Sequence, residues 1–86
     1  MMVTLSTKTI RRSRMMPEMQ MIDSTMIEAV GYEPDTQQLH VRFAKSGDTY
    51  VYYAVEEWVF SGMLESESKG QYFNATVRDA YQFEKL

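Results

Sequence analysis

Gly47-Asp48-Thr49-Tyr50-Val51-Tyr52-Tyr53 is the stretch on which the reading of this 86-residue chain turns. Glycine takes a positive φ at little steric cost, so Ser46-Gly47 marks a tight turn. The run after it is rich in aromatic residues, which suit a half-buried strand. Working back, Leu39-His40-Val41-Arg42-Phe43 alternates apolar and polar side chains, as a strand with one buried face does. Before it, Glu33-Pro34-Asp35-Thr36 is a turn signal, because proline presets φ and the Asp side chain can bond back to the backbone. Ser24 to Tyr32 then reads as the first strand.

A two-residue loop at Ser46-Gly47 predicts a register. Lys45 opposes Asp48, Phe43 opposes Tyr50 and Val41 opposes Tyr52. Opposed residues share a sheet face. Leu39, Val41, Phe43, Tyr50, Tyr52 and Ala54 therefore line one face, with Val30 and Tyr32 added from the first strand. His40, Arg42, Val51 and Tyr53 line the other, with Ile27 and Ala29. A slip of one residue would put Tyr50 and Tyr52 beside Arg42. The matched register instead makes both tyrosines core residues with their hydroxyls at the rim, and leaves His40 half-exposed.

Val55 to Glu65 reads as a helix. Glu56 and Glu57 favour its positive N-terminal end. Val55, Trp58, Val59, Gly62 and Met63 recur at spacings of three and four and form its apolar stripe. Ser68-Lys69-Gly70-Gln71 fits a capping box that starts a second helix, Lys69 to Tyr81. Phe73, Val77, Ala80 and Tyr81 are its expected core stripe. The expected architecture is α+β: a three-stranded antiparallel meander followed by two helices packed on one face.

The chain is short enough for one domain, and such a domain buries only about 60% of its unfolded surface. There is no cysteine, which suits a reducing cytoplasm. No run of eighteen apolar residues or apolar signal region appears, so a membrane span and a secretory signal are not expected. Net charge is −3. Residues 1–16 carry four cations and no acid, whereas residues 17–86 carry five cations and all twelve acids. A basic arm on an acidic body is one reading. Residues 1–23 are set apart as a mobile tail, a phosphate-contacting arm, a transit-like segment or a stretch preceding a true start at Met15 or Met16. Residues 24–86 form the domain.

Gly31-Tyr32, Leu39 to Phe43, Tyr50-Val51-Tyr52, Ser68-Lys69-Gly70-Gln71-Tyr72-Phe73-Asn74, Arg78 and Tyr81 together resemble the KTSC domain. That family is named for the C-terminus of some lysyl-tRNA synthetases and also occurs as small bacterial and phage proteins. The resemblance covers residues 24–86. Family members often carry a proline after the Tyr-x-Tyr strand; here Val55-Glu56 stands there, and Glu56 is expected to start the helix. The resemblance implies no established activity. The synthetase association suggests RNA binding.

Catalysis needs a base, a nucleophile or paired carboxylates converging in a cleft. The single histidine, the helix-end glutamates and the absence of phosphate-loop or metal-ligand spacing point to no enzyme, no cofactor and no metal. For RNA, exposed rings beside cations are needed. Arg42, Lys45 and Tyr53 form one candidate cluster and Lys69, Tyr72, Asn74 and Arg78 a second. Tyr50, Tyr52, Trp58, Ser68, Gly70 and Phe73 are assigned structural roles. The other class is a protein-interaction or self-associating module. It would use the open sheet edges, or an apolar patch of Ile27, Ala29, Val51 and Tyr53.

Overall fold

Pro34 and Gly47 each sit in a four-residue loop, and these loops set the register of the two central hairpins. The computed structural model describes residues 17–86. Its strands are β1 (Gln20–Met21), β2 (Ile27–Glu33), β3 (Gln38–Phe43), β4 (Thr49–Tyr52) and β5 (Phe83–Lys85). They form one antiparallel sheet in the order β1-β2-β3-β4-β5. Two helical segments lie between β4 and β5: α1 (Glu57–Glu65) and α2 (Lys69–Tyr72), the latter continuing as a π-helical turn, Phe73–Val77.

The expected three-stranded meander is thus the centre of a five-stranded sheet. The extra strands take both edges expected to be open. β1 pairs Gln20 with Val30, and β5 pairs Tyr50 with Lys85. The part of the expected tail from residue 17 to 23 therefore belongs to the fold. The basic arm and the alternative start lie outside the described residues.

Ser24 explains why β2 begins three residues late. Its hydroxyl accepts the N–H groups of Met26 and Ile27, each at 3.2 Å, and holds the chain in a turn. β2 also bulges at Glu28, between the pairs Ile27–Phe43 and Ala29–Arg42. A bulge inserts one residue and flips the side that follows. Ile27 consequently joins the core beneath the helices, and only Ala29 keeps the expected reverse orientation.

The β3–β4 register is shifted by two residues from the expected one. Val41 opposes Tyr50 and Leu39 opposes Tyr52. The cause is loop length: Phe43 N–H bonds the Asp48 carbonyl at 3.0 Å, enclosing Ala44–Gly47, with Gly47 at φ 75°. Side chains alternate with period two, so an even slip preserves the faces. Leu39, Val41 and Tyr52 remain under the helices, and Phe43 and Tyr50 pack beside them. Ala54 does not continue that face; it is exposed and left-handed at φ 59°. The expected Lys45–Asp48 pair is replaced by Lys85–Asp48, 3.5 Å apart.

In α1 the buried residues are Val59 and Met63, with Phe60 and Leu64 partly buried beside them. These four centre the stripe about 100° away from the expected one, one residue's rotation on a helix of 3.6 residues per turn. Trp58 falls on the opposite side and is 64% exposed, so its assignment to the core is corrected. Phe60 stacks on Tyr32, centroids 5.2 Å apart at 14°. Glu56 occupies the N-cap in extended conformation, without a side-chain cap bond; its carboxylate accepts from the Tyr81 hydroxyl at 2.9 Å.

Ser68 caps α2 by accepting Gln71 N–H at 3.4 Å. The return arm expected from the Gln71 side chain is supplied by Ser66, whose hydroxyl accepts Ser68 N–H at 3.2 Å. The second helix does not run to Tyr81. Arg78 N–H reaches back five residues to the Phe73 carbonyl, 2.9 Å, so the winding widens. Phe73 and Val77 are buried, Tyr81 is partly so, and Ala80 is exposed. The chain then leaves the helix, and the Gln82 carbonyl accepts Tyr53 N–H at 2.9 Å at the head of β5.

The reverse face is not bare. Ala29, Gly31, His40 and Val51 are buried there. A Cβ on Gly31 would sit 2.8 Å from the Glu18 carbonyl oxygen and 2.9 Å from Met19 Sδ, so this glycine admits a segment crossing the sheet. The apolar patch expected on that side is accordingly not exposed.

Candidate functional site

The helices leave one end of the sheet's inner face open. A groove of about 670 Å³ lies there between β3–β5 and the π-helical turn. Five aromatic rings build it. Phe43 packs edge-on against Tyr50 (5.4 Å) and against Phe73 (5.5 Å), and Phe73 packs edge-on against Tyr52 (5.5 Å). Phe83 leans over Tyr50 at 5.7 Å and over Tyr52 at 5.4 Å. Tyr52 and Phe73 are buried, whereas Phe83 is 52% exposed and presents ring surface to the groove.

Cations collect at the rim. Lys45 and Arg78 line the groove, and Lys85 lies opposite Tyr50 in the β4–β5 ladder. Three of the five cations of residues 17–86 thus gather around a body that carries twelve acids. Arg78 pairs with Asp79 at 3.8 Å, but both are exposed, and such pairs hold their partners weakly. Burial pushes the Tyr52 hydroxyl above its ordinary pKa; Tyr50 adds to this, Arg78 opposes it and Asp79 adds again.

A second, smaller cavity of about 360 Å³ adjoins the groove. Met26 and Asn74 line both. Arg78 Nη1 donates to Asn74 Oδ1 at 3.4 Å, and Asn74 Nδ2 approaches Met26 Sδ at 3.9 Å, so these three side chains form the partition. Gly70 lies against it: a Cβ there would touch Met26 Cβ and Sδ at 3.4 Å.

The structure regroups the expected site residues. Lys45, Asn74 and Arg78 come together at the groove. Arg42 and Tyr53 lie on the reverse side. Arg42 faces Glu28 at 3.6 Å, and the Tyr53 hydroxyl donates to Glu84 at 2.6 Å, a bond that raises its pKa. Lys69 donates to the Ser66 carbonyl at 2.9 Å and lines the smaller cavity. Tyr72 is partly buried against the hydrophobic core, and a Cβ at Gly62 would overlap its hydroxyl. Of the residues assigned structural roles, Tyr52 and Phe73 are buried, Ser68 caps α2, Gly70 lies beside Met26 and Tyr50 walls the groove.

His40 is 5% exposed, not half-exposed, and Nδ1 has no hydrogen-bond partner among the described residues. Desolvation lowers its pKa. Among the described residues no three His, Asp or Glu side chains gather as metal ligands would.

Sequence reasoning missed Phe83 and Met26. Gln82-Phe83-Glu84 alternates polar and apolar, but Lys85 breaks the pattern, and three residues do not stand out beside the preceding helical pattern. Nothing in the sequence marks Met26 as a partition.

A protein of Tsukamurella paurometabola is 42% identical over 64 residues, covering 74% of this chain and 94% of that one. A lysine–tRNA ligase of a Nostoc species is 36% identical over 64 residues; the match spans 74% of this chain and only 11% of the ligase. The crystal structure of a KTSC domain protein from Yersinia pestis superposes with a TM-score of 0.77 at 29% identity, covering 80% of this chain and 96% of that one. The family model described as the KTSC domain matches residues 23–81, and the chain belongs to that family.

Proposed function

We propose that this domain binds single-stranded RNA in the groove between β3–β5 and the π-helical turn. The observation that carries the reading is the half-exposed Phe83 ring, backed by Tyr50 and flanked by Lys45 and Arg78. A base stacks on an aromatic face while cations beside it take the phosphates. Relatives named as lysine–tRNA ligases, proteins that act on an RNA, support the choice of nucleic acid. The reading is of a non-catalytic, cytoplasmic module; no helix among the described residues is long and apolar enough to cross a membrane.

Fluorescence anisotropy with a labelled oligouridylate tests it. At 50 mM salt the domain binds more tightly than an equally acidic control protein. The slope of log K against log salt is roughly −2, the value for three phosphates on a single strand. Binding no tighter than the control refutes the proposal.

A protein-interaction or self-associating module is the second reading, favoured by the exposure of Trp58 on α1. Tryptophan is enriched among residues that anchor interfaces. Self-association predicts a particle mass that rises with concentration in light scattering and no longer rises in Trp58→Ser. A constant monomeric mass removes it.

A further inference from the structure

We infer that the smaller cavity reads the ribose 2′-hydroxyl, so that the domain selects RNA over DNA; the inference rests on the RNA reading of the adjoining groove. The two cavities meet at Met26 and Asn74, so a strand whose base stacks in the groove brings its sugar to the partition. A methionine thioether is a flexible partition, since it turns about three bonds.

The two chambers differ in chemistry. The groove is lined by two cations, Lys45 and Arg78, against one carboxylate, Asp79. The smaller cavity has the opposite balance: two carboxylates, Asp23 and Glu67, against one cation, Lys69, with Ser24 and Gln71 beside them. Carboxylates repel phosphate and accept from hydroxyls. Phosphates are therefore held to the Lys45 and Arg78 side, and a neutral, hydroxyl-bearing part of the strand faces the polar chamber. Ser24 Oγ already accepts two backbone N–H groups and still carries one proton to donate. The chamber thus offers both acceptors and donors, the match for a 2′-hydroxyl, which gives one hydrogen bond and accepts others. Gly70, at the start of α2, lies beside the partition, where a Cβ would be in ordinary contact with Met26.

Competition between oligouridylate and oligodeoxyuridylate of equal length isolates the sugar, because the bases are identical. The wild-type domain binds the ribo form about fivefold more tightly, the effect of one hydrogen bond. In the double variant Asp23→Ala/Glu67→Ala, which removes the acceptors as well as the charge, affinity for both strands rises as repulsion falls, and the ratio moves toward one. Both side chains sit at exposed positions, and an unchanged thermal melt confirms that the variant folds. Equal wild-type affinity for the two strands overturns the inference and leaves the stacking groove standing. A ratio unmoved in the double variant also overturns it. Failure to bind either strand brings down the groove reading itself, and the inference with it.

Discussion

Lowering the pH through the range in which histidine titrates should destabilise this domain by way of His40. The imidazole is 5% exposed, and its Nδ1 lacks a partner among the described residues. Burial lowers its pKa below the ordinary 6.5. Above pH 6.5 the ring is neutral in both the folded and the unfolded chain, and it adds no pH dependence. Below that value the unfolded chain takes up a proton that the folded chain refuses, so stability falls as pH falls. One proton difference gives a slope of at most about 1.4 kcal/mol per pH unit. Between pH 7.5 and 5.5 the loss therefore reaches at most about 1.4 kcal/mol, since only the lower half of that window lies below the unfolded pKa. In a domain this small that is a sizeable share of total stability. Urea denaturation at three pH values in this window measures it, with His40→Leu as the variant that cannot titrate. Carboxylates titrate mostly below pH 5.5 and leave the window clear. A wild-type stability that is flat across the window refutes the reasoning, as does an equal slope in His40→Leu.

Gly62→Ala should destabilise the domain by about 1–3 kcal/mol, because the new methyl overlaps the Tyr72 hydroxyl and a well-packed side chain must move. Adding Tyr72→Phe should return part of that loss, and a thermal melt that shows no recovery removes the explanation. Gly31→Ala should push residues 17–19 off the sheet, read as faster amide exchange of Met19 to Met21 with β3 still protected. Exchange unchanged at those residues would show that the segment has room to spare. Phe83→Ala should leave the fold intact and weaken single-stranded RNA binding by about 1–3 kcal/mol, the effect of one stacking platform. An affinity equal to wild type places the base elsewhere.

The face assignment of the sheet is legible in the sequence because alternation constrains parity and nothing finer. Tyr52 meets Leu39 where Val41 was expected, yet all three still point to the helices. Parity fails only at a bulge, and Glu28 hides one that sends Ile27 inward. Strands of two and three residues carry too few alternations to be seen, which is why β1 and β5 escaped. α1 was placed correctly but rotated. Trp58 is the largest apolar residue of the segment and draws the expected stripe toward itself, whereas Phe60 and Leu64 pack on the core and turn the buried side away from it. The site inherits these errors. Lys45, Asn74 and Arg78 were visible as exposed polar residues near rings. The ring that completes the groove arrives on a strand that only tertiary pairing creates.

The widened winding at Phe73–Val77 works like a single inserted residue, and it makes the groove dependent on chain length as well as on side chains. The turn spends five residues on about the rotation that four take in an α-helix, so its extra residue is absorbed; one more residue added at the exposed Ala75 in ordinary α winding swings everything downstream by about 100°. Gln82 then no longer faces Tyr53, and Phe83 arrives on the wrong side of the sheet or not at all. The spacing between the Phe73-Asn74 pair and Phe83 is thus as much a determinant of ligand binding as any side chain that touches the ligand.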